Sequence, residues 1–344
     1  MTEPHDDASS APGVEGLVLS GTGGVWRVRR ADGSVVEASL RGRVKKSNAG
    51  RRADGSLRRD TVASSAETLK LAVGDRVELE QDAASGAWAI AEILPRRSRL
   101  ARRAPGGGQG ERIVAANVDQ VVVVFAAANP EPHPRMLDRF LVIAEANELA
   151  ARVVINKVEL VDRPEVERKF ADYSAAGYPV HFTSVKQRLG LDELHDALAG
   201  KTSVLTGPSG VGKSSLMNSM YPGLDLRVGE ISESVNKGRH TTVGALLHPL
   251  PDKGYVVDSP GLREVGMWGL ESAHLDECFR EFRPHIPECR FGNCTHRVEP
   301  GCAVRAAVES GAISAERYDS YSRLREEMED SERKRSPKSL KRKG

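Results

Sequence analysis

Apolar and polar positions along the chain fall into three regimes. From about Gly13 to Leu94 the apolar residues come in short runs broken by Gly and Asp. GLVLSGTGGVWRVRRADGSVVEASL predicts three strands, with turns at Gly23-Gly24 and Asp32-Gly33, and LAVGDRVELE and GAWAIAEIL add two more. Some five strands in about eighty residues predict a small barrel of the OB or SH3-like kind. Arg96 to Gly110, with its GGG, reads as a linker. The second regime opens with VDQVVVVFAA, a nearly continuous β-branched run of the sort a parallel strand shows when both its faces are covered. RMLDRFLVIAEANEL follows with helical spacing, then ARVVINK as a strand, VERKFADYSAAG as a helix, YPVHFTS as a strand, LDELHDALAG as a helix and KTSVLTG as a fourth strand. Strands alternating with helices predict a doubly wound parallel α/β domain. After about Trp268 the pattern changes again, to a helical stretch, a cysteine-rich knot and a charged helix containing RLREEMEDSERKR. The expected organisation is a disordered tail over 1–12, a barrel over 13–97, an α/β domain over 98–268, a small third domain over 269–328 and a basic tail over 329–344.

Composition narrows this only a little. The chain has 344 residues, 39% hydrophobic and 28% charged, which suits two or three soluble globular domains. No apolar run approaches the length of a membrane span. The first residues, MTEPHDDASSAPG, are acidic and lack the apolar core of a signal peptide. A reducing cytoplasm is therefore expected, and the four cysteines point to metal or free thiol rather than to disulfides. A monomer is expected. The net charge is only +2, but RGRVKKSNAGRR, RRSRLARR and RKRSPKSLKRKG are strongly basic. Beside an OB-type barrel such runs point to RNA, bound by salt-dependent contacts to its backbone. Trp26 and Trp88 are the barrel's few large aromatics, so base stacking there is secondary.

TGPSGVGKSS carries the chemistry. Gly207, Gly212, Lys213 and Ser214 fit G-x-x-x-x-G-K-[ST], between a strand and a helical pattern. In such a loop, formed here by Gly207, Pro208, Ser209, Gly210, Val211 and Gly212, the glycines let the backbone turn tightly so that several N–H groups point at the phosphates, and the helix through Ser214 and Ser215 adds the positive end of its dipole. Lys213 reaches the β- and γ-phosphates, and the Ser214 hydroxyl ligates Mg²⁺. GYVVDSPG then supplies an apolar run ending in Asp258, which would hold Mg²⁺ through water, and Gly261, whose N–H can meet the γ-phosphate. Between them lies NKGRHTTVGAL; either Thr241 or Thr242 can ligate Mg²⁺ only while the γ-phosphate is present, which makes a switch.

INKVEL precedes the phosphate loop and supplies Asn156, Lys157 and Glu159. A carboxylate at Glu159 can accept from guanine N1–H and its 2-amino group, a pair that adenine does not offer. The Lys157 stem can lie on the base and Asn156 can pin the neighbouring loop. Thr183-Ser184, at the end of the next strand, can give a backbone N–H to the base oxygen. Base loops, phosphate loop, threonine switch and DSPG thus occur in a rotated order. A parallel sheet tolerates this when the old termini are joined and a surface loop is cut.

The third region has its own chemistry. Cys289, Cys294, His296 and Cys302 put three thiolates and an imidazole within fourteen residues. Four N/S ligands with no open position indicate a structural, tetrahedral Zn²⁺ that would fold a segment too short for its own core. Cys278 sits in LDECFREF, where core packing is its expected role.

The order NKVE, TS, GPSGVGKSS, GRHTT, DSPG, with a small barrel before and the cysteine knot after, resembles the RsgA (YjeQ) family of small-subunit biogenesis GTPases from about Gly13 to Met328. The resemblance implies an OB fold, a circularly permuted P-loop GTPase domain and a zinc domain, with zinc on the same four residues. It implies slow hydrolysis of GTP to GDP, stimulated by the small (30S) ribosomal subunit, and a role in that subunit's late maturation through its 16S rRNA. Glu159 stands where such GTPases usually carry Asp, and DSPG replaces the commoner DTPG. Leu262 follows Gly261 and cannot orient the attacking water. The resemblance puts forward His240 for that task; packing or RNA contact is the other role open to it. The alternative function is an RNA-binding assembly checkpoint that uses GTP as a ligand.

Overall fold

Five short strands build the N-terminal unit: β1 (Val14–Thr22), β2 (Val25–Arg30), β3 (Val35–Leu40), β4 (Arg76–Gln81) and β5 (Trp88–Ile93). The computed structural model describes residues 13–41, 71–103, 111–226, 245–258 and 270–335. The five strands close into a barrel in the order β1-β2-β3-β5-β4, with β3 and β5 parallel and β1 sealing it against β4. That closure is the OB arrangement rather than the SH3-like one. Inward positions follow the strand alternation, and Val18, Val28, Ala38, Val77, Leu79 and Ile90 fill the interior. A bidentate ion pair ties the barrel's base: Arg96 Nε and Nη2 donate to the carboxylate of fully buried Asp75 at 2.6 and 2.8 Å.

The expected linker is partly a structural element. β6 (Arg99–Arg103) and β7 (Glu111–Ala116) pair as an antiparallel ribbon. It is tied to the barrel unit by a backbone bond that sequence pattern does not show: Ala116 N–H donates to Val73 O at 2.8 Å. Asn117 adds a side-chain bond to Gly74 O at 2.8 Å. The barrel is thereby fixed to the next domain, not strung from it.

The α/β domain contains a six-stranded sheet in the order β10-β9-β8-β11-β13-β12, formed by β8 (Gln120–Ala126), β9 (Ala150–Asn156), β10 (Val180–Phe182), β11 (Thr202–Thr206), β12 (Leu246–Pro249) and β13 (Tyr255–Asp258). All neighbours are parallel except β12, which runs antiparallel along the edge. Every residue of β8 is buried, because alternate side chains enter two different cores. Val121, Val123 and Phe125 face α1 (Pro134–Ala146), while Val122 and Val124 face α4 (Leu191–Leu198) and α5 (Lys213–Met220). The helix expected over VERKFADYSAAG is two pieces, α2 (Arg163–Lys169) and α3 (Ala171–Ala175), parted at buried Phe170. Barrel and sheet share a core, since Leu19 of β1 is buried beside Leu247 of β12.

The C-terminal unit holds α6 (Ala303–Glu309) and α7 (Ala315–Arg335). The stretch around Cys278 is a series of 3₁₀ turns, not the expected helix. Helix α7 continues through Arg335, so it holds the whole of the charged helix expected over RLREEMEDSERKR and runs past the expected boundary at 328. The unit docks on one face of α1. Val142 joins its apolar core beside Phe279 and Phe282. Around that contact Asp138 pairs with Arg317, Glu145 with Arg280 and Arg283, Arg135 with Asp319 and Arg139 with Glu327. Arg317 and Asp138 are both almost fully buried, so the cost of desolvating them offsets much of their attraction. Among the described residues no helix is long and apolar enough to cross a membrane.

Candidate functional site

Because β8, β9, β10, β11 and β13 are parallel, their C-terminal ends share one edge of the sheet. That edge brings the separated sequence motifs together. Asn156 ends β9, Thr183 and Ser184 follow β10, the Gly207–Gly212 loop follows β11, and Asp258 ends β13.

The loop's geometry rests on close backbone approach. Gly207 has φ 132°, and a Cβ there would stand 2.0 Å from Val124 O of the neighbouring strand. Gly212 has φ 94°, and a Cβ would meet Asn156 Nδ2 at 2.5 Å. A side chain at Gly207 would force the loop off its strand, and one at Gly212 would displace the Asn156 amide. Asn156, 2% exposed, uses the space: its Nδ2 donates to Val211 O at 2.9 Å, and its Oδ1 accepts from Thr183 Oγ1 at 3.2 Å. One amide therefore ties the phosphate loop to both base loops. Lys157, in the left-handed region at φ 62°, sends Nζ to Gly210 O at 2.7 Å and to Asn129 O. Lys213, at the start of α5, curls back so that Nζ donates to Gly207 O at 2.8 Å and Pro208 O at 2.6 Å. Ser214 is buried in the first turn beside it.

Two observations test the fit to a guanine nucleotide. Glu159 Oε2 is shielded from solvent and has no hydrogen-bond partner. A shielded carboxylate oxygen without a donor is costly, and guanine N1–H and N2–H are donors of the right kind. Lys213 rests on the loop's own carbonyls, the position from which an ammonium swings to phosphate oxygens. His240, Thr241, Thr242 and Gly261 lie outside the described residues, as does Leu262.

In the C-terminal unit the ligand atoms of Cys289, Cys294, His296 and Cys302 all lie within 4.8 Å of one another. His296 Nδ1 is 3.5 Å from Cys289 Sγ and 3.4 Å from Cys302 Sγ. Its other nitrogen, Nε2, is 3.0 Å from Asp276 Oδ2. That carboxylate, twenty positions upstream, was not legible in the motif. It fixes which imidazole nitrogen faces the thiols, as outer partners of metal-bound histidines do. The fold around the knot is held by Tyr318 OH donating to His296 O at 2.6 Å and Tyr321 OH to Thr295 O at 2.9 Å. Burial tends to raise the Glu299 pKa, but the Thr295 hydroxyl and nearby backbone N–H groups hold it down to about 2. Cys278 stands apart: it lies outside the four-atom cluster, buried among Phe279 and Phe282, and burial pushes its thiol up to about 12. Soft thiolates and an imidazole in a closed set fit Zn²⁺.

The family model described as RsgA GTPase matches residues 93–268. A protein of Gemmatimonas aurantiaca named small ribosomal subunit biogenesis GTPase RsgA is 58% identical over 315 residues, covering 91% of this chain and 97% of its own. The chain belongs to the RsgA GTPase family. A Bacteroides fragilis RsgA of the same name is 36% identical over 320 residues, covering 92% of this chain and 98% of its own. The crystal structure of YjeQ from Thermotoga maritima superposes with a TM-score of 0.72 at 34% identity, covering 92% of this chain and 98% of that one. YloQ, a circularly permuted GTPase, gives 0.67 at 27% identity, covering 96% and 99%. The expected permuted P-loop fold with an N-terminal barrel is therefore present, and the chain is a GTPase, with the GTP, GDP and Mg²⁺ that its family implies.

Proposed function

We propose that this RsgA GTPase acts in small ribosomal subunit assembly, that the 30S subunit stimulates its turnover, and that it contacts 16S rRNA. The observation that carries the reading is the convergence of both base loops, the phosphate loop and Asp258 on one sheet edge, with Glu159 Oε2 awaiting a donor. The relatives named for small-subunit biogenesis supply the partner.

In this reading Glu159 and the Thr183-Ser184 backbone select guanine, and the backbone N–H groups that the Gly207–Gly212 loop offers, with Lys213, hold the phosphates. Ser214, Asp258 and one of Thr241 and Thr242 hold Mg²⁺, which when bound neutralises charge on the β- and γ-phosphates. Water attacks the γ-phosphorus as the bond to the bridging oxygen breaks, leaving GDP and phosphate. Leu262 cannot place that water, so His240, aligned on the subunit, takes the task. One zinc ion on Cys289, Cys294, His296 and Cys302 folds the C-terminal unit. The chain works as a monomer in the cytoplasm.

The test is steady-state GTP hydrolysis with and without purified 30S and 50S subunits across salt. Stimulation by 30S alone, weakening as salt rises, is expected. Equal turnover with no subunits present would refute an activated GTPase.

A further inference from the structure

The barrel's aromatic rings are already engaged. Trp26 lies over Gly21, where a Cβ would come within 2.2 Å of the indole, and the Arg30 guanidinium covers Trp88 at 5.1 Å. Both indoles pack against the barrel core. Among the described residues Phe291 is the only exposed aromatic, with 41% of its surface open. It stands at the tip of the cysteine knot, between ligands Cys289 and Cys294.

Single exposed apolar residues are ordinary, but this one has distinctive surroundings. The Arg290 guanidinium sits 5.5 Å from the Phe291 ring centre. Arg290 is itself exposed and makes no ion pair with any described carboxylate. The backbone beneath is fixed: Arg290 N–H donates to Gly301 O at 3.0 Å, and Cys294 N–H to Phe291 O at 3.2 Å. Gly301, at φ 73°, leaves room for the Arg290 stem, since a Cβ would lie 3.1 Å from Arg290 Cβ. Gly292 and Asn293 complete an exposed turn with no acidic side chain. A ring 41% exposed, a cation without a carboxylate and a backbone pinned at both ends make a preorganised stacking surface. Its complement is a flat, electron-rich ring attached to a phosphate chain.

We propose that Phe291 and Arg290 form a stacking platform for an unpaired nucleobase of small-subunit rRNA, with Arg290 on the adjoining phosphate. This rests on the rRNA-binding reading above and places a base contact on the knot rather than the barrel.

The experiment measures binding of the zinc-loaded full chain, with a non-hydrolysable GTP analogue, to 30S subunits and to protein-free 16S rRNA. Phe291→Ala is expected to weaken both by about tenfold, with an unchanged salt slope. Phe291→Leu should do the same, because it keeps apolar area but loses the π face, and Phe291→Trp should restore binding. Arg290→Ala should lower the salt slope by about one. Zinc content and subunit-free GTP turnover should be unchanged in all four. Affinity of Phe291→Ala within twofold of the unsubstituted chain overturns the platform, as does full rescue by Leu. Loss on 30S subunits but not on free rRNA assigns the ring to a ribosomal protein and also overturns it. Failure of the unsubstituted chain to bind either RNA sample overturns the rRNA reading itself.

Discussion

At the nucleotide edge of the sheet, the loops are held by bonds from side chain to backbone that are already in place: Asn156 to Val211, Lys157 to Gly210, Lys213 to Gly207 and Pro208. At the knot, the frame depends on four ligand atoms drawn within 4.8 Å of one another, three of them thiols that repel when ionised. Beneath the first lies a sheet whose strand β8 is buried along its whole length. Beneath the second lie short 3₁₀ turns and the helices α6 and α7, packed around a separate apolar core that includes Phe279, Phe282, Val304 and Tyr321. The difference teaches where each region's order comes from. On the proposed reading, the nucleotide site is built by the domain before its ligand arrives, whereas the knot would be built by its ion.

The sharpest break of this comparison is removal of zinc. Structural zinc contributes on the order of 10 kcal/mol to small domains of this kind. Chelation, or Cys294→Ser, should therefore abolish amide protection over 289–302 in hydrogen exchange. GTP affinity in the same sample should stay within about threefold, because the nucleotide loops draw on a separate core. A comparable loss of GTP binding would show that α1 couples the regions more tightly than their separate cores suggest.

Lys213→Ala is next. Losing a charged donor on transferring phosphate should lower single-turnover GTP hydrolysis by about a hundredfold or more, with zinc content unchanged. Asp276→Asn probes the knot from outside its ligand set. Removing the carboxylate charge beside His296 Nε2 should weaken zinc binding by roughly ten- to a hundredfold in competition with a chelating dye, while GTP binding holds. Equal zinc affinity would mean that the thiolates alone set the imidazole.

These cases also mark how far the sequence could be read. The strands of the barrel, the parallel α/β alternation and the phosphate loop follow from local pattern, since each depends on residues close in the chain. Asn156, Thr183 and Val211 are far apart, yet each motif was legible because nucleotide chemistry fixes its spacing. Asp276 was not, because its link to His296 spans twenty positions of irregular chain and no periodicity encodes it. The pairing of β6 with β7 was missed because a run of glycines between them in the sequence outweighed the two short strands. The charged face of α1 was read only as a helix; Asp138 and Glu145 reveal their role when Arg317 and Arg280 arrive from the far end of the chain.

The smallest expected effect is Glu159→Asp. Shortening the arm by one methylene keeps both acceptor oxygens, so guanine affinity should change by only a few-fold, read by titration with labelled GDP.

The claim on which the rest depends is that the Glu159 carboxylate reads guanine. The direct test is calorimetric titration of the chain and its Glu159→Ala variant with Mg²⁺ and non-hydrolysable GTP or ATP analogues. Two charge-assisted hydrogen bonds are at stake, so the variant should lose about a hundredfold or more in GTP affinity and lose its preference over ATP. Unchanged GTP affinity in the variant, or ATP bound as tightly as GTP by the unsubstituted chain, would contradict the account.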